Sequence, residues 1–218
     1  MRVMATTTGT PPETGLRERK KQRTREALIE VAFDLFGRQG FDATTVEEIA
    51  EAVEVSPRTF FRYFATKEDV VLSMLEDQLS AMYDGLAARP ASEPVLTALR
   101  HAMVGVVRAA EQGVGSFDPI RFACMRDLTS KNPALAARSM EHGAAKIDAL
   151  ADQIGARMGV DPARDPRPQL VAATVICTVP TAIRLWGANE PDTAVSELAE
   201  RAFGLLEKGL NYPAAKRR

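Results

Sequence analysis

The stretch TTVEEIAEAVEVSPRTFFRYFATK, Thr44 to Lys67, decides the fold. Val46, Ile49, Ala50 and Val53 fall at i, i+3, i+4 and i+7, one apolar stripe on a helix of two turns. Thr45 and Glu48 stand three apart at its start, the spacing of a capping box. After a tight Glu54-Val55 connection, Ser56-Pro57 supplies an N-cap and a first-turn proline, so a second short helix begins there. Two short helices joined this way form a helix-turn-helix, whose second helix enters the major groove of DNA. The outward side chains of that helix are Arg58, Thr59, Arg62 and Tyr63. Glu54 sits in the turn, where a positive φ would strain any residue but glycine.

Upstream, a helix is expected from Leu16 to Arg38. Its first half, LRERKKQRTR, sets Arg17, Arg19, Lys20, Lys21, Arg23 and Arg25 against the single acid Glu18. Such a cluster can neutralise phosphates without reading sequence, although a solvated helix end has the same composition. Its second half carries Leu28, Val31, Ala32, Leu35 and Phe36 at helical steps, an apolar face in need of a partner. Gly40 can end this helix, and Phe41 can fold back against Ile49, Val53, Phe60 and Phe64. Core packing accounts for Phe60 and Phe64. Tyr63 is placed outward, where a phenol can bond phosphate or pack on a thymine methyl.

The whole chain of 218 residues has a formal net charge of -1, so any attraction to nucleic acid must be local. Cys124 and Cys177 have no second Cys or His at ligand spacing, which argues against zinc and disulfides and for buried free thiols. No run approaches the ~18 apolar residues of a membrane span and no apolar signal core opens the chain, so a cytoplasmic location is expected, with no membrane partner. His101 and His142 are isolated, and no HExxH, GxSxG or phosphate-binding glycine loop occurs. A helical enzyme would need such a constellation, so neither catalysis nor a cofactor is expected.

Residues 1–15, rich in Thr, Gly and Pro, read as a disordered leader. Thr66 caps a helix that runs from about residue 66 to 88 and bridges a helix-turn-helix domain (16–65) and a second helical domain (66–212). The sequence RPASEP, Arg89 to Pro94, breaks it. Helices then follow over Pro94–Glu111, Phe117–Ser130, Pro133–Met158 as the longest, Pro168–Gly187 and Asp192–Leu210, before a basic tail at 213–218. The segment LVAATVICTVPTAIRLWGA is apolar around most of its circumference. The last helix can cover one side and a two-fold copy another, although an elongated monomer core would also serve.

The run from Leu16 to about Val71 resembles the DNA-binding region of the tetracycline-repressor-like (TetR-type) transcriptional regulators. The resemblance is carried by Gly40-Phe41, by Thr44-Thr45, and by the block from Thr59 to Phe64 followed by Lys67. It implies an all-α, dimeric repressor with a C-terminal effector-binding domain. It also implies that Thr45, Arg58, Thr59, Tyr63 and Lys67 touch DNA, chiefly at phosphates, with Arg58 and Arg62 reading guanines. Arg25, Thr44 and Ser56 complete the expected DNA-facing set. Two departures stand out: Glu54 replaces the usual glycine, and Phe61 replaces a frequent tyrosine, losing one phosphate hydrogen bond.

Soft or large residues that could line an effector cavity are Met103, Phe122, Met125, Met140, Cys177 and Trp186. Arg121 and Thr174 could orient a polar group on the ligand, as could Arg126 and Thr178. Core packing or bonding to the helix backbone explains each as well. The FFRYF block and the PTAIRLW segment resemble regulators whose effectors are acyl-thioester-like, which implies a largely apolar small molecule. The partners expected are double-stranded operator DNA, a second copy of the chain and that effector. An effector-independent helix-turn-helix protein is the alternative.

Overall fold

The computed structural model describes residues 13–187 and 189–210. The expected basic tail at 213–218 and residues 1–12 of the expected leader lie outside them. Residues 13–15 are not leader but the start of a helix, because α1 spans Glu13–Gln39. Every regular element among the described residues is helical, which makes the fold all-α. The chain divides into two compact units, Met1–Val70 and Val71–Arg218, and the division falls inside α4 (Lys67–Ala87).

The first unit packs α1, α2 (Val46–Ala52), α3 (Pro57–Phe60) and the first turn of α4. Its buried side chains include Leu28, Ile29, Ala32, Phe33, Phe36, Phe41, Ile49, Phe60 and Phe64. The buried face of α1 is therefore rotated from the expected one: Ile29 and Phe33 are buried, while Val31 and Leu35 are half-buried. Aromatic rings knit this core. Phe36 meets Phe33 edge-on at 5.7 Å and Phe41 at 4.9 Å, and Phe60 meets Phe64 at 5.7 Å. Arrangements of this kind add to simple area burial.

The capping box forms as the spacing requires. Glu48 N–H donates to Thr45 Oγ1 at 3.2 Å, and Thr45 N–H donates to the Glu48 carboxylate at 2.8 Å. These bonds from Thr45 hold the Glu48 carboxyl below its ordinary range. Ser56 caps α3 through the Thr59 N–H at 3.2 Å. Only one turn of α3 is regular helix, and residues 61–63 continue as turn.

Glu54 takes φ +56°, the only non-glycine with positive φ among the described residues. A side chain there costs about 1–2 kcal/mol, part of which glycine would give back through its extra freedom in the unfolded chain. Glu54→Gly is therefore expected to raise stability by roughly 0.5–1 kcal/mol, read as a higher urea midpoint at unchanged m-value.

In the second unit, α4 continues and is followed by α5 (Val95–Gln112), α6 (Pro119–Lys131), α7 (Pro133–Ala144), α8 (Ile147–Met158), α9 (Arg167–Ala182) and α10 (Val195–Lys208). The single long helix expected over 133–158 is instead α7 and α8. Gly143 lets α7 pass close to α9, since a Cβ on it would lie 2.9 Å from Ile176 Cγ2, and the chain turns at Ala145-Lys146 before α8 begins. Met82, Leu99, Leu150, Ile154, Val175, Ala199 and Phe203 meet in one core drawn from α4, α5, α8, α9 and α10.

Polar clamps hold the connections. Glu111 accepts from Val195 N–H at 2.5 Å and so caps α10 from α5, since no side chain of α10 does. Arg157 of α8 donates to the carbonyls of Arg89, Pro90 and Glu93, fastening the RPASEP turn. Glu93 is gripped by Arg89 at 2.6 Å and faces His101 Nδ1 at 2.7 Å, with the Arg89 guanidinium foremost in holding its carboxyl at about 2.

Two expectations are corrected here. Cys124 and Cys177 are free but half-buried rather than fully enclosed, and partial burial raises the Cys124 thiol. The helix Arg167–Gly187 is long and apolar enough, by length and composition alone, to cross a membrane, a test that core helices of water-soluble proteins also pass. It packs against α8 and α10 and ends in a π turn over Ile183–Gly187, just past Pro180.

Candidate nucleic-acid interface

In the first half of α1, Arg17, Arg19, Lys20, Lys21 and Arg23 are all exposed. Arg25 leans in, its guanidinium 5.6 Å from the centroid of the Phe64 ring. The α3 end returns to the same place. A polar notch of about 300 Å³ is lined by Glu18, Lys21, Gln22 and Arg25 of α1 and by Arg62 and Tyr63. Arg62 lies over the Tyr63 ring at 5.2 Å and donates to the phenol oxygen at 3.3 Å, which orders both. Three cations outnumber the one carboxylate of the notch, Glu18, which lies 3.8 Å from Lys21, and make a seat for an anionic oxygen group. In the sequence Lys21 stood out only as one member of the basic cluster, and Gln22 did not. The signal was available, because Lys21 and Arg25 are four apart and share a helix face.

Arg58 is exposed and makes no hydrogen bond or ion pair with any described residue, so its guanidinium fork is free to meet a base edge or a phosphate. Thr59 is half-buried and Ser56 exposed, with 3.0 Å between their hydroxyls. Thr45 is exposed, but its hydroxyl already donates to Glu48 at 2.9 Å.

Two members of the expected set point elsewhere. Thr44 is 1% exposed and donates its hydroxyl to Gly40 O at 2.8 Å, so it braces the α1–α2 turn instead of offering itself to DNA. Lys67 does the same from the start of α4. Its ammonium donates to the carbonyls of Phe41 at 2.6 Å, Asp42 at 3.3 Å and Thr44 at 2.9 Å. It also lies 4.6 Å from the Phe41 ring centroid. All three protons of an ammonium are then engaged. A phosphate clamp needs a free donor, so Lys67 is a staple within this unit.

The expected effector residues are not brought together as one lining. Phe122 and Met125 are buried on α6, with Gln78 Nε2 3.9 Å from the Met125 sulfur. Met103 is half-buried at the edge of the core. Arg121 pairs with Asp118 at 3.6 Å. Met140 is 42% exposed, and Thr174 faces outward with its hydroxyl on Leu170 O. Cys177 is half-buried on α9, and Trp186 is covered by the Arg201 guanidinium at 4.6 Å. An open groove of about 340 Å³ lies between α4 and α5 instead, walled by Gly85, Ala88, Ala102, Gly105 and Phe117, with Arg89 and His101 also on its wall. Burial and outward-facing helix positions look alike in a list of apolar residues, which is why the selection scattered.

A capped helix-turn-helix preceded by an exposed basic helix defines a DNA-binding protein. Comparison with known proteins gives the family. Residues 28–74 match the family model described as bacterial regulatory proteins, tetR family, and residues 93–211 match the MftR C-terminal domain. The transcriptional regulator TcmR of Streptomyces glaucescens is 44% identical over 171 residues, spanning 77% of this chain and 74% of TcmR. MftR of Mycobacterium tuberculosis, described as a putative mycofactocin biosynthesis transcriptional regulator, is 29% identical over 199 residues, 88% of this chain and 94% of MftR. The Thermus thermophilus repressor FadR, solved with lauroyl-CoA, shares the fold with a TM-score of 0.55 at 23% identity, covering 89% of this chain and 98% of FadR. The chain belongs to the TetR family of bacterial transcriptional regulators, and it is a DNA-binding regulator. Among the described residues no group of His, Cys, Asp and Glu could hold a metal ion.

Proposed function

We propose that the chain is a cytoplasmic, homodimeric, ligand-responsive repressor that occupies a near-palindromic operator and leaves it when a largely apolar effector binds the second unit. The observation that carries the DNA half of this reading is that one helix-turn-helix unit offers both the free Arg58 and the notch of Lys21, Arg25 and Arg62, next to the exposed basic residues of α1. A single helix-turn-helix reads too few bases for useful discrimination, which favours two copies on two half-sites. Leu170 on α9 is 65% exposed and Leu185 in the π turn that follows it 50%, apolar surface that a second copy would cover. The effector half is supported by the matched MftR-type C-terminal domain and by the acyl-CoA held on the related FadR fold.

Selection of bound fragments from random DNA tests both halves. The expected product is a two-fold symmetric site with half-sites about 10 base pairs, or a multiple, apart. Lauroyl-CoA and free lauric acid are then added separately. Thermal stabilisation of the protein together with release of the selected DNA is the expected result. An asymmetric site removes the dimer reading. A panel of acyl chain lengths that neither stabilises the protein nor releases DNA leaves an effector-independent regulator.

A further inference from the structure

We infer that Phe61 is a base-reading residue and that it reads the 5-methyl group of a thymine; this rests on the DNA-binding reading above. Four of the five residues from Phe60 to Phe64 are aromatic, and the structure gives them different surroundings. Phe60 is 0% exposed and Phe64 5%, so both belong to the core. Tyr63 is covered on one face by the Arg62 guanidinium, and its phenol oxygen is bonded to the same group. Phe61 is the exception, because it is 54% exposed. It meets Phe60 edge-on at 5.6 Å, which sets its angle.

A half-exposed phenyl on the turn that enters the groove has no hydrogen-bonding atom, so it cannot recognise a phosphate or a base edge by donor and acceptor pattern. What it can recognise in the major groove is the single apolar feature there, the thymine methyl. Its neighbours divide the labour: Arg58 is a free fork, and Arg62 is committed to the notch beside Tyr63. The ring also avoids an entropy cost, since its contact with Phe60 limits its rotation before DNA arrives. The missing hydroxyl noted in the sequence is then not only a lost phosphate bond. It leaves this position wholly apolar.

The test is a uracil scan of the operator recovered by selection, in which each thymine is replaced by uracil and only the methyl is lost. Wild-type protein is expected to lose roughly three- to tenfold in affinity at one thymine per half-site, and the square of that factor when both half-sites are changed. Phe61→Ala should bind the thymine and uracil forms equally, with its helical circular dichroism unchanged. Phe61→Gln, similar in reach but polar, serves the same comparison should the alanine variant lose its fold. A scan with no methyl-sensitive thymine, or a sensitivity that persists in both variants, overturns the assignment of Phe61 alone. A selection that enriches no sequence overturns the operator reading and this inference together.

Discussion

Lys67→Ala is expected to cost the first unit about 2–4 kcal/mol of stability, because it deletes three charge-assisted bonds to backbone carbonyls, each worth roughly 1.5–3 kcal/mol when well enclosed. The carbonyls of Phe41, Asp42 and Thr44 belong to the α1–α2 turn, and half-burial of the site puts the figure below a simple sum. Amide exchange in α1 to α3 should accelerate. Trp186 fluorescence, which reports the second unit, should keep its urea midpoint. The measurement also separates this role from a phosphate contact. A lysine lost from a phosphate would leave amide exchange unchanged and reduce the salt dependence of DNA binding by about one counterion. Unchanged exchange with a lower salt slope would therefore return Lys67 to the DNA surface.

Arg58→Ala and Arg62→Ala should both weaken operator binding, but in different ways. Arg58 has no partner among the described residues, and a bidentate arginine–guanine contact is worth about 1–3 kcal/mol of discrimination. In a two-fold complex the loss counts twice, so Arg58→Ala is expected to reduce operator affinity by roughly 30-fold or more while random DNA is bound nearly as before. Arg62 lines the notch with Lys21 and Arg25, and its substitution should weaken operator and random DNA alike and lower the salt slope. Competition titrations at several salt concentrations give both quantities. Equal losses on operator and random DNA for Arg58→Ala would remove it as a base reader.

The short-range features of the first unit were legible in the sequence. Both caps, the two-helix spacing and the strained Glu54 follow from rules that act over three or four residues. The placement of Thr44 and Lys67 was not legible, because each is decided by a backbone turn that the side chain must reach from elsewhere. Lys67 stands 23 to 26 residues from its acceptors, and nothing in a lysine's identity says whether its flexible stem turns inward or outward. On α1, Ile29 and Val31 are both apolar, and only the packing of Phe33 and Phe36 settles which faces the core. In the second unit the helix-to-helix alternation was readable, yet the close passage of Gly143 by Ile176 of α9 is a tertiary fact that no local pattern carries. The effector residues suffered most, since a cavity is defined by what several helices leave empty.

The regular part of α3 is a single turn, Pro57–Phe60. A helix of one turn can spell only short words: with one free guanidinium fork and one bare ring, it reads roughly two base pairs of a half-site directly. Four letters in a two-fold site recur by chance about once in 250 base pairs, far too often among the millions of competing positions on a chromosome. The remaining discrimination has to come from how willingly the intervening DNA bends or narrows, so the uncontacted spacer should carry as strong a sequence preference as the letters the protein touches.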